Sequence, residues 1–245
     1  MRALPGRPST HQYQTTTPAR SHTARVVNDL GEAIVSGRQQ EGSLLPGDLE
    51  MSGRYGVSRT VLREAVKTLS AKGLLQSKAR IGTRVRNRGD WNLFDSDVLV
   101  WHARSGFSAD FLLHLGEMRL ALEPEAAALA ALRRTPEQLA RIWAWADQMG
   151  DPDILPQDFV LADLGLHLAI AEAANNPFFL SISTLIEVAL VAMLTMSSPV
   201  ENRQRLALSV AHHRAIVAAI EAGDAATARV AMQRVVQKGI DGTRS

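Results

Sequence analysis

Apolar residues recur every three or four positions along most of this 245-residue chain, which is the pattern of amphipathic helices. Near the amino-terminus the pattern predicts three helices, at about 20–37, 48–55 and 58–72, and a glycine ends each of them. Two short β-prone runs come next, at Leu74–Gln76 and Thr83–Arg86. This order of elements predicts a helix-turn-helix followed by a β-hairpin wing.

The third predicted helix has an apolar side and a cationic side. Its apolar positions are Val61, Leu62, Ala65, Val66 and Leu69, whereas Arg59, Arg63 and Lys67 lie four residues apart on the opposite side. Ser58 precedes the helix and suits its N-cap. The second helix of a helix-turn-helix enters the major groove of DNA, so the cationic side predicts DNA contacts. A basic side that is only solvated is the alternative interpretation.

Positive charge is concentrated in the amino-terminal part of the chain. The connection between the two β-prone runs holds Lys78, Arg80 and Gly82, and such a wing would lie on the phosphate backbone. Residues 1–90 carry 15 Lys and Arg against 7 Asp and Glu, a net charge of +8, whereas residues 91–245 have a net charge of −6. This asymmetry indicates a separate module that binds a polyanion.

Composition excludes several classes of protein. The absence of cysteine excludes disulfides and thiolate metal sites. No apolar run approaches the roughly 18 residues of a membrane span. Residues 1–19 lack the apolar core of a signal peptide and are rich in Pro, Ser, Thr and Gln. We therefore predict a disordered tail and a cytoplasmic protein.

The rest of the chain is almost wholly helical in pattern. Breaks fall near Gly106, Pro136, Pro152–Pro156, Asn175–Pro177, Pro199 and Gly223. The fold class is therefore mainly α, a winged helix-turn-helix joined to an all-helical bundle. We place the winged helix at 20–86, a linker with its own helix at 87–106, and the helical domain at 107–240.

Three titratable residues lie on apolar stripes of this helical domain. One stripe runs through Val160, Asp163, His167, Ile170 and Ala174, and another through Leu206, Val210, His213, Val217 and Ile220. Such groups are rarely buried unless they are paired or bound to a metal. An aspartate and two histidines suit Zn²⁺, Ni²⁺ or Mn²⁺. A buried Asp–His hydrogen bond without metal is the alternative.

Arg119 also lies on an apolar stripe, with Leu112, Leu115, Leu122 and Ala126. A guanidinium group can bind a carboxylate through two parallel hydrogen bonds, so Arg119 is a candidate to bind an acidic ligand. A salt bridge to Glu123, one turn later, is the alternative.

The segment "LLPGDLEMSGRYGVSRTVLREAVKTLSAKGLL", followed by the glycine-bearing wing, resembles the winged helix of the GntR superfamily of bacterial transcription regulators. The resemblance covers about residues 22–86. It implies that DNA is contacted by Ser58, Arg59, Thr60 and Arg63, and by the wing tip at Arg80 and Gly82. Many members carry an arginine where this chain has Leu49, so one DNA contact is absent or replaced.

Residues 107–240 resemble the FCD effector domain of the FadR-like branch of that superfamily. The resemblance is carried by "RLALE" (119–123), "DLGLHLAIAEAANNP" (163–177) and "HRAIVAAIEAGD" (213–224). It implies a divalent metal bound by an aspartate and three histidines, of which Asp163, His167 and His213 match three. The fourth position holds Val235, which leaves a three-ligand site to be completed by water or by effector oxygens. The arginine that matches Arg119 often faces the ligand's carboxylate.

The segment "WNLFDSDVLVW" (91–101) resembles the sugar-acid branch of this family, whose members include D-galactonate-responsive repressors. The resemblance implies an aldonate or a 2-keto-3-deoxy sugar acid as effector, whose carboxylate and α-hydroxyl can chelate an ion while the carboxylate meets Arg119. It also implies a homodimer on a pseudo-palindromic double-stranded operator.

We therefore predict a transcription regulator, in this family more often a repressor, whose DNA binding responds to a small carboxylate. Two alternatives remain. The first is a constitutive DNA-binding protein with a structural helical domain. The second is a metal-dependent hydrolase using Asp163, His167 and His213, for which the sequence supplies no clear acid or base beside the metal.

Overall fold

The computed structural model describes residues 21–196 and 199–242, so the predicted tail at 1–19 lies outside the described residues. The chain divides into two units, of which the first ends at Phe107 and the second begins at Ser108. None of the described helices is long and apolar enough to cross a membrane.

The first unit has the predicted order of helix, helix, helix and hairpin. Its elements are α1 (His22–Val35), α2 (Asp48–Tyr55), α3 (Arg59–Ala71), β1 (Leu75–Lys78), β2 (Gly82–Val85), a 3₁₀ turn (Arg88–Asp90) and α4 (Ser96–Arg104). Ser58 caps α3 as predicted, because its hydroxyl accepts a hydrogen bond from the backbone N–H of Val61. Gly56 ends α2 in the left-handed conformation that favours glycine.

The two strands form the predicted wing. They pair antiparallel, with Leu75 opposite Val85 and Lys78 opposite Gly82. Arg80 and Gly82 both have positive φ, at 62° and 110°, and so turn the chain between the strands. Each strand extends nearer to the turn than the apolar pattern predicted, since backbone pairing does not require apolar residues at the exposed tip of a hairpin.

The segment predicted as a linker contributes to the core of the first unit. Trp91, Val98 and Trp101 are buried among the side chains of α1 and α3. The Trp101 indole donates a hydrogen bond to Asn28 Oδ1 at 3.1 Å, and its ring covers Gly31. The apolar pattern did not predict this contact, because it gives a helix a buried side without naming the partner.

A methyl group at position 31 should therefore destabilise the first unit. A Cβ built on Gly31 would lie 2.5 Å from the Trp101 ring. The ring is fully buried, so it cannot move away without displacing other core side chains. We expect Gly31→Ala to cost about 1–3 kcal/mol of unfolding free energy, as overpacking does in other cores. Chemical denaturation followed by tryptophan fluorescence measures this. Gly53→Ala is the matched control, since nothing lies within 4 Å of its added Cβ. Equal stability of the two variants would show that Trp101 is not tightly packed.

The second unit consists of helices α5 (Ala109–Arg133), α6 (Pro136–Met149), α7 (Pro156–Ala173), α8 (Pro177–Ser181) and α9 (Ser183–Met196), a 3₁₀ turn (Pro199–Glu201), α10 (Arg203–Glu221) and α11 (Ala225–Gly242). The predicted breaks coincide with helix ends. Thr135 and Gln138 form a reciprocal capping box at the start of α6, where Pro136 occupies the first turn. Asn176 caps α8 in front of Pro177.

Helix α7 lies at the centre of the second unit. It packs against α5, α6 and α9, while α11 packs along α5 and α10. Its apolar residues are buried on several sides, and Gly165 allows the Trp145 ring to lie directly against its backbone. A helix enclosed in this way carries its polar residues into the interior. Asp163 and His167 are therefore buried, as is His213 of α10.

Candidate functional site

The eight residues predicted to contact DNA are all exposed on the first unit. They are Ser58, Arg59, Thr60, Arg63 and Lys67 of α3 and its cap, and Lys78, Arg80 and Gly82 of the wing. On the opposite side of α3, Leu62, Ala65 and Leu69 are buried in the core. The structure therefore places the cationic side of α3 and the wing tip in solvent, where a DNA duplex can reach them.

Two ion pairs hold cations of this surface in place. Arg63 Nε lies 3.1 Å from Asp48 Oδ2 of α2, and Lys67 Nζ lies 2.9 Å from Glu64 Oε1. The Asp48–Arg63 pair links the two helices of the motif and was not predicted from the sequence. Leu49, next to Asp48, is 71% exposed, so the position where many family members have an arginine is a solvent-facing leucine here.

Asp163, His167 and His213 converge inside the second unit. Each is at most 4% exposed, and one potential ligand atom from each lies within 4.8 Å of the others. His213 Nε2 lies 3.0 Å from Asp163 Oδ1. Helix α7 supplies two of the three side chains one turn apart, and α10 supplies the third. The predicted i, i+4 pair and the distant histidine are therefore neighbours.

Both imidazole rings are oriented by a partner at Nδ1. His213 Nδ1 donates a hydrogen bond to the backbone carbonyl of Ser209 at 2.8 Å, and His167 Nδ1 contacts the carboxylate of Glu123. Nδ1 of each ring is therefore occupied, and it is Nε2 of His213 that faces Asp163. Within the described residues, Nε2 of His167 has no hydrogen-bond partner, whereas Nε2 of His213 lies against the Asp163 carboxylate. Two oriented, buried imidazoles beside a carboxylate could hold a divalent metal ion.

Glu123 connects the cluster to Arg119. Its carboxylate contacts both Arg119 Nε and His167 Nδ1, and all three side chains are buried. The structure thus contains the salt bridge that was the alternative interpretation of Arg119. It also contains a Glu123–His167 contact that the sequence did not reveal, since the two residues are 44 positions apart. The available signal was a charged pair, Arg119 and Glu123, one turn apart on a helix with little polar surface.

The electrostatics of the cluster favour ionised carboxylates. Burial alone would raise the pKa of Glu123, but Arg119 and His167 outweigh it and lower that pKa to about 2. Burial likewise opposes ionisation of Asp163, yet His213 holds its pKa below the usual value. Burial would lower the pKa of His213, and the Asp163 carboxylate raises it instead. The site is therefore built to keep two buried carboxylates charged.

A cavity of about 300 Å³ opens onto this cluster. Its lining comprises Arg119, Asp163, His167, Leu190, Pro199, Arg205, Leu208, Ser209, His212, His213, Val235, Lys238 and Gly239. The volume is at the small end of ligand pockets, which span roughly 300–1,000 Å³. Val235, at the position that the family resemblance assigns to a fourth ligand, lines the same cavity. An apolar side chain there offers no fourth protein ligand.

A winged helix-turn-helix with an exposed cationic surface, joined to a second helical unit, is the architecture of a DNA-binding transcription regulator. Comparison with known families supports this assignment: residues 22–85 match the model of the bacterial regulatory proteins of the gntR family, and residues 114–238 match the FCD domain. The chain therefore belongs to the GntR family and has its FadR-like, FCD-bearing architecture.

Curated relatives of the chain are transcription regulators. It is 37% identical over 158 residues to YieP, an uncharacterised HTH-type transcriptional regulator of Escherichia coli, covering 64% of this chain and 69% of that protein. It is 33% identical over 164 residues to the galactonate operon transcriptional repressor of the same organism, covering 67% and 72%. Neither of these two relatives is named as an enzyme.

The fold is shared with a solved structure. Lar, a protein that controls the expression of the Listeria monocytogenes agr system, matches with a TM-score of 0.62 at 21% identity, covering 92% of this chain and 97% of that one. At this identity the match concerns the fold alone.

Proposed function

We propose that this regulator binds its operator through the cationic side of α3 and the wing. Ser58, Arg59, Thr60 and Arg63, at the start of the recognition helix, would read base edges in the major groove. Lys67 and the wing residues Lys78, Arg80 and Gly82 would contact phosphates. The exposure of all eight residues supports this assignment. A homodimer would match the two half-sites of a pseudo-palindromic operator.

The proposal for the second unit is that its cavity binds a small carboxylate effector together with a divalent metal ion. Asp163, His167 and His213 would hold Zn²⁺, Ni²⁺ or Mn²⁺, and Arg119 would meet the effector's carboxylate. The observation that carries this proposal is the pair of buried imidazoles, each oriented by a partner at Nδ1 and each within 4.8 Å of Asp163 through one potential ligand atom. A bound ion would supply a Lewis acid that binds the carboxylate and an adjacent hydroxyl oxygen of the effector.

A sugar acid, such as an aldonate, is the proposed effector class. A relative named as the galactonate operon repressor supports this choice, as does the family resemblance of residues 91–101. Glu123 and Ser209 would fix the orientations of the two imidazole rings. Because Val235 cannot bind the metal, an oxygen of the effector would take the fourth coordination position. Effector binding would shift the population between DNA-competent and incompetent states, because the acid binds one of them more tightly. Repression is the proposed direction.

The melting temperature of the full-length protein tests this function. We expect one or more sugar acids, galactonate and gluconate among them, to raise it in the presence of Zn²⁺, Ni²⁺ or Mn²⁺. An acid at about a hundred times its Kd stabilises by roughly 2.7 kcal/mol, which is about 5–10 °C for a chain of this size. Chelator treatment should remove the shift, and restored metal should return it.

The control is galactitol, which has the same carbon chain and no carboxylate. If an acid still raised the melting temperature after metal stripping, the effector would bind without a metal ion. If no acid raised the melting temperature, the proposed effector class would be wrong.

A further inference from the structure

Glu123 is buried behind the wall of the cavity. Arg119 and His167 both belong to the described residues that line the cavity, whereas Glu123, which contacts both of them, does not. The Glu123 side chain is only 4% exposed. A molecule bound in the cavity therefore acts on Glu123 through these two neighbours and not by direct contact.

The two oxygens of the Glu123 carboxylate serve different partners. Oε1 accepts a hydrogen bond from Arg119 Nε, whereas Oε2 contacts His167 Nδ1. Arg119 Nη2 also lies 3.5 Å from Oε2, so the guanidinium and the imidazole both approach this oxygen. Helix α5 supplies the arginine and the glutamate one turn apart, and α7 supplies the histidine. One carboxylate thus joins the proposed effector contact to a proposed metal ligand.

The charge of a buried carboxylate is shared among the groups that donate hydrogen bonds to it. In a low-dielectric interior, linked hydrogen bonds polarise one another. If Arg119 binds Glu123 less tightly, more of the negative charge is therefore available to His167. Nε2 of that ring has no hydrogen-bond partner among the described residues, so it is the atom that can bind an ion. A carboxylate at the other ring nitrogen makes a histidine a stronger metal ligand, and such a partner is worth about 10–100-fold in metal affinity.

Arg119 is the residue through which an effector would alter this arrangement. Under the proposed function the effector's carboxylate meets Arg119, whose guanidinium is already paired with Glu123. A guanidinium has five N–H groups, which two carboxylates would then share. Each hydrogen bond that Arg119 gives to the effector weakens its interaction with Glu123.

We propose that Glu123 is a positioning residue that couples effector binding to metal binding. When an acid binds Arg119, Glu123 polarises His167 more strongly, and the metal ion is bound more tightly. Because coupling between two ligands is reciprocal, the metal-loaded protein also binds the acid more tightly through the same contacts. This inference rests on the proposed function, from which it takes both the metal ion and the effector's carboxylate.

The affinity of the full-length protein for Zn²⁺, measured by competition with a chromophoric chelator, tests the coupling. The measurement is made with and without galactonate or gluconate, whichever raises the melting temperature more. We expect the acid to tighten Zn²⁺ binding by the wild type. Glu123→Gln should bind Zn²⁺ alone about 10–100-fold more weakly, and the tightening by the acid should be at least about fivefold smaller. Direct contact between the acid and the ion survives in this variant, so the lost part is the part that Glu123 transmits.

Glu125→Gln is the matched control. Glu125 is also a glutamate of α5 paired with an arginine, Arg229, but it is exposed and does not line the cavity. This variant should bind Zn²⁺ like the wild type, both with and without the acid. A single acid concentration is used for all variants, so that binding of Zn²⁺ by the acid in solution affects them equally.

Substitution of Arg119 should change the metal affinity in the opposite direction. Arg119→Gln removes the cation that competes with His167 for Glu123, so we expect it to bind Zn²⁺ alone about fivefold or more tightly than the wild type. A purely structural role of the ion pair would not tighten metal binding. The gain should disappear when Arg119→Gln is made in the Glu123→Gln protein, because the effect passes through Glu123. This double variant buries no unpaired charge at positions 119 and 123, so the comparison holds even if Glu123→Gln alone folds poorly.

Several outcomes would overturn the coupling and leave the proposed function standing. One is wild-type Zn²⁺ affinity in Glu123→Gln, and another is an undiminished effect of the acid in that variant. A gain in Arg119→Gln that persists in the double variant is a third, because Arg119 would then act on the ion directly. If neither acid changed the Zn²⁺ affinity or the melting temperature of the wild type, both the coupling and the sugar-acid effector would be wrong.

Discussion

A His213→Ala variant is expected to bind its operator normally and to lose its response to effector. His213 contributes one of three converging ligand atoms, so its removal should weaken binding of the metal by at least about 100-fold, since even outer partners of metal ligands are worth about 10–100-fold. Without the ion, the proposed effector would lose the contact between its carboxylate and the metal. Metal competition with a chromophoric chelator measures the first effect, and operator release by the sugar acid in an electrophoretic assay measures the second.

Two further variants separate a ligand role from a structural one. Asp163→Asn keeps the shape of the side chain and removes its charge, so it should lose metal with little change in packing. His212→Ala removes a neighbouring histidine that turns away from the cluster by about 100° and should retain metal. If all three variants bound metal like the wild type, the cluster would be a buried hydrogen-bonding network and not a metal site. If only His213→Ala failed to fold, Asp163→Asn would still decide the question.

Substitution of Arg63 by alanine is expected to weaken operator binding by about 1–3 kcal/mol, a loss of roughly fivefold to 150-fold. The same change should reduce discrimination between the operator and duplexes with altered bases, because an arginine in the recognition helix reads base edges and not only phosphates. Fluorescence anisotropy on an operator selected from random duplexes by the wild-type protein measures both quantities at a fixed salt concentration.

Arg141→Ala is the matched control for this experiment. Arg141 is also an exposed, ion-paired arginine, bound to Glu172 at 2.6 Å, but it lies in the second unit. Its loss should leave operator affinity unchanged. Wild-type affinity and selectivity in Arg63→Ala would remove this residue from the reading surface and would assign it only the ion pair with Asp48.

The order of elements in both units could be predicted because local chemistry determines it. Ser58 caps α3 with its own side chain, and glycines with positive φ follow α1 and α2, so the boundaries depend on residues within a turn or two. The same holds for the capping box at Thr135, and for the breaks at Pro177 and Gly223. The stripe containing Asp163 and His167 was predicted from spacing alone, since α7 is regular throughout that segment.

Contacts between elements could not be predicted in the same way. Periodicity gives each helix a buried side but does not say which neighbour covers it, so the pairs Asp48–Arg63 and Glu123–His167 became visible only in three dimensions. Arg119 illustrates the limit: the sequence left open whether it serves a ligand or pairs with Glu123, and the structure gives it the ion pair and a place in the cavity wall.

The ring of Trp101 over Gly31 also sets the smallest fragment of this regulator that could fold by itself. The match to the gntR family ends at residue 85, yet the hydrophobic core of the first unit uses Trp91, Val98 and Trp101. A polypeptide cut at residue 85 would lack the Trp101 ring that covers Gly31. The apolar surface of α1 beneath that ring would then be exposed to water. The matched segment is thus shorter than the unit that folds, and we expect a stable DNA-binding fragment to extend at least through α4, which ends at Arg104.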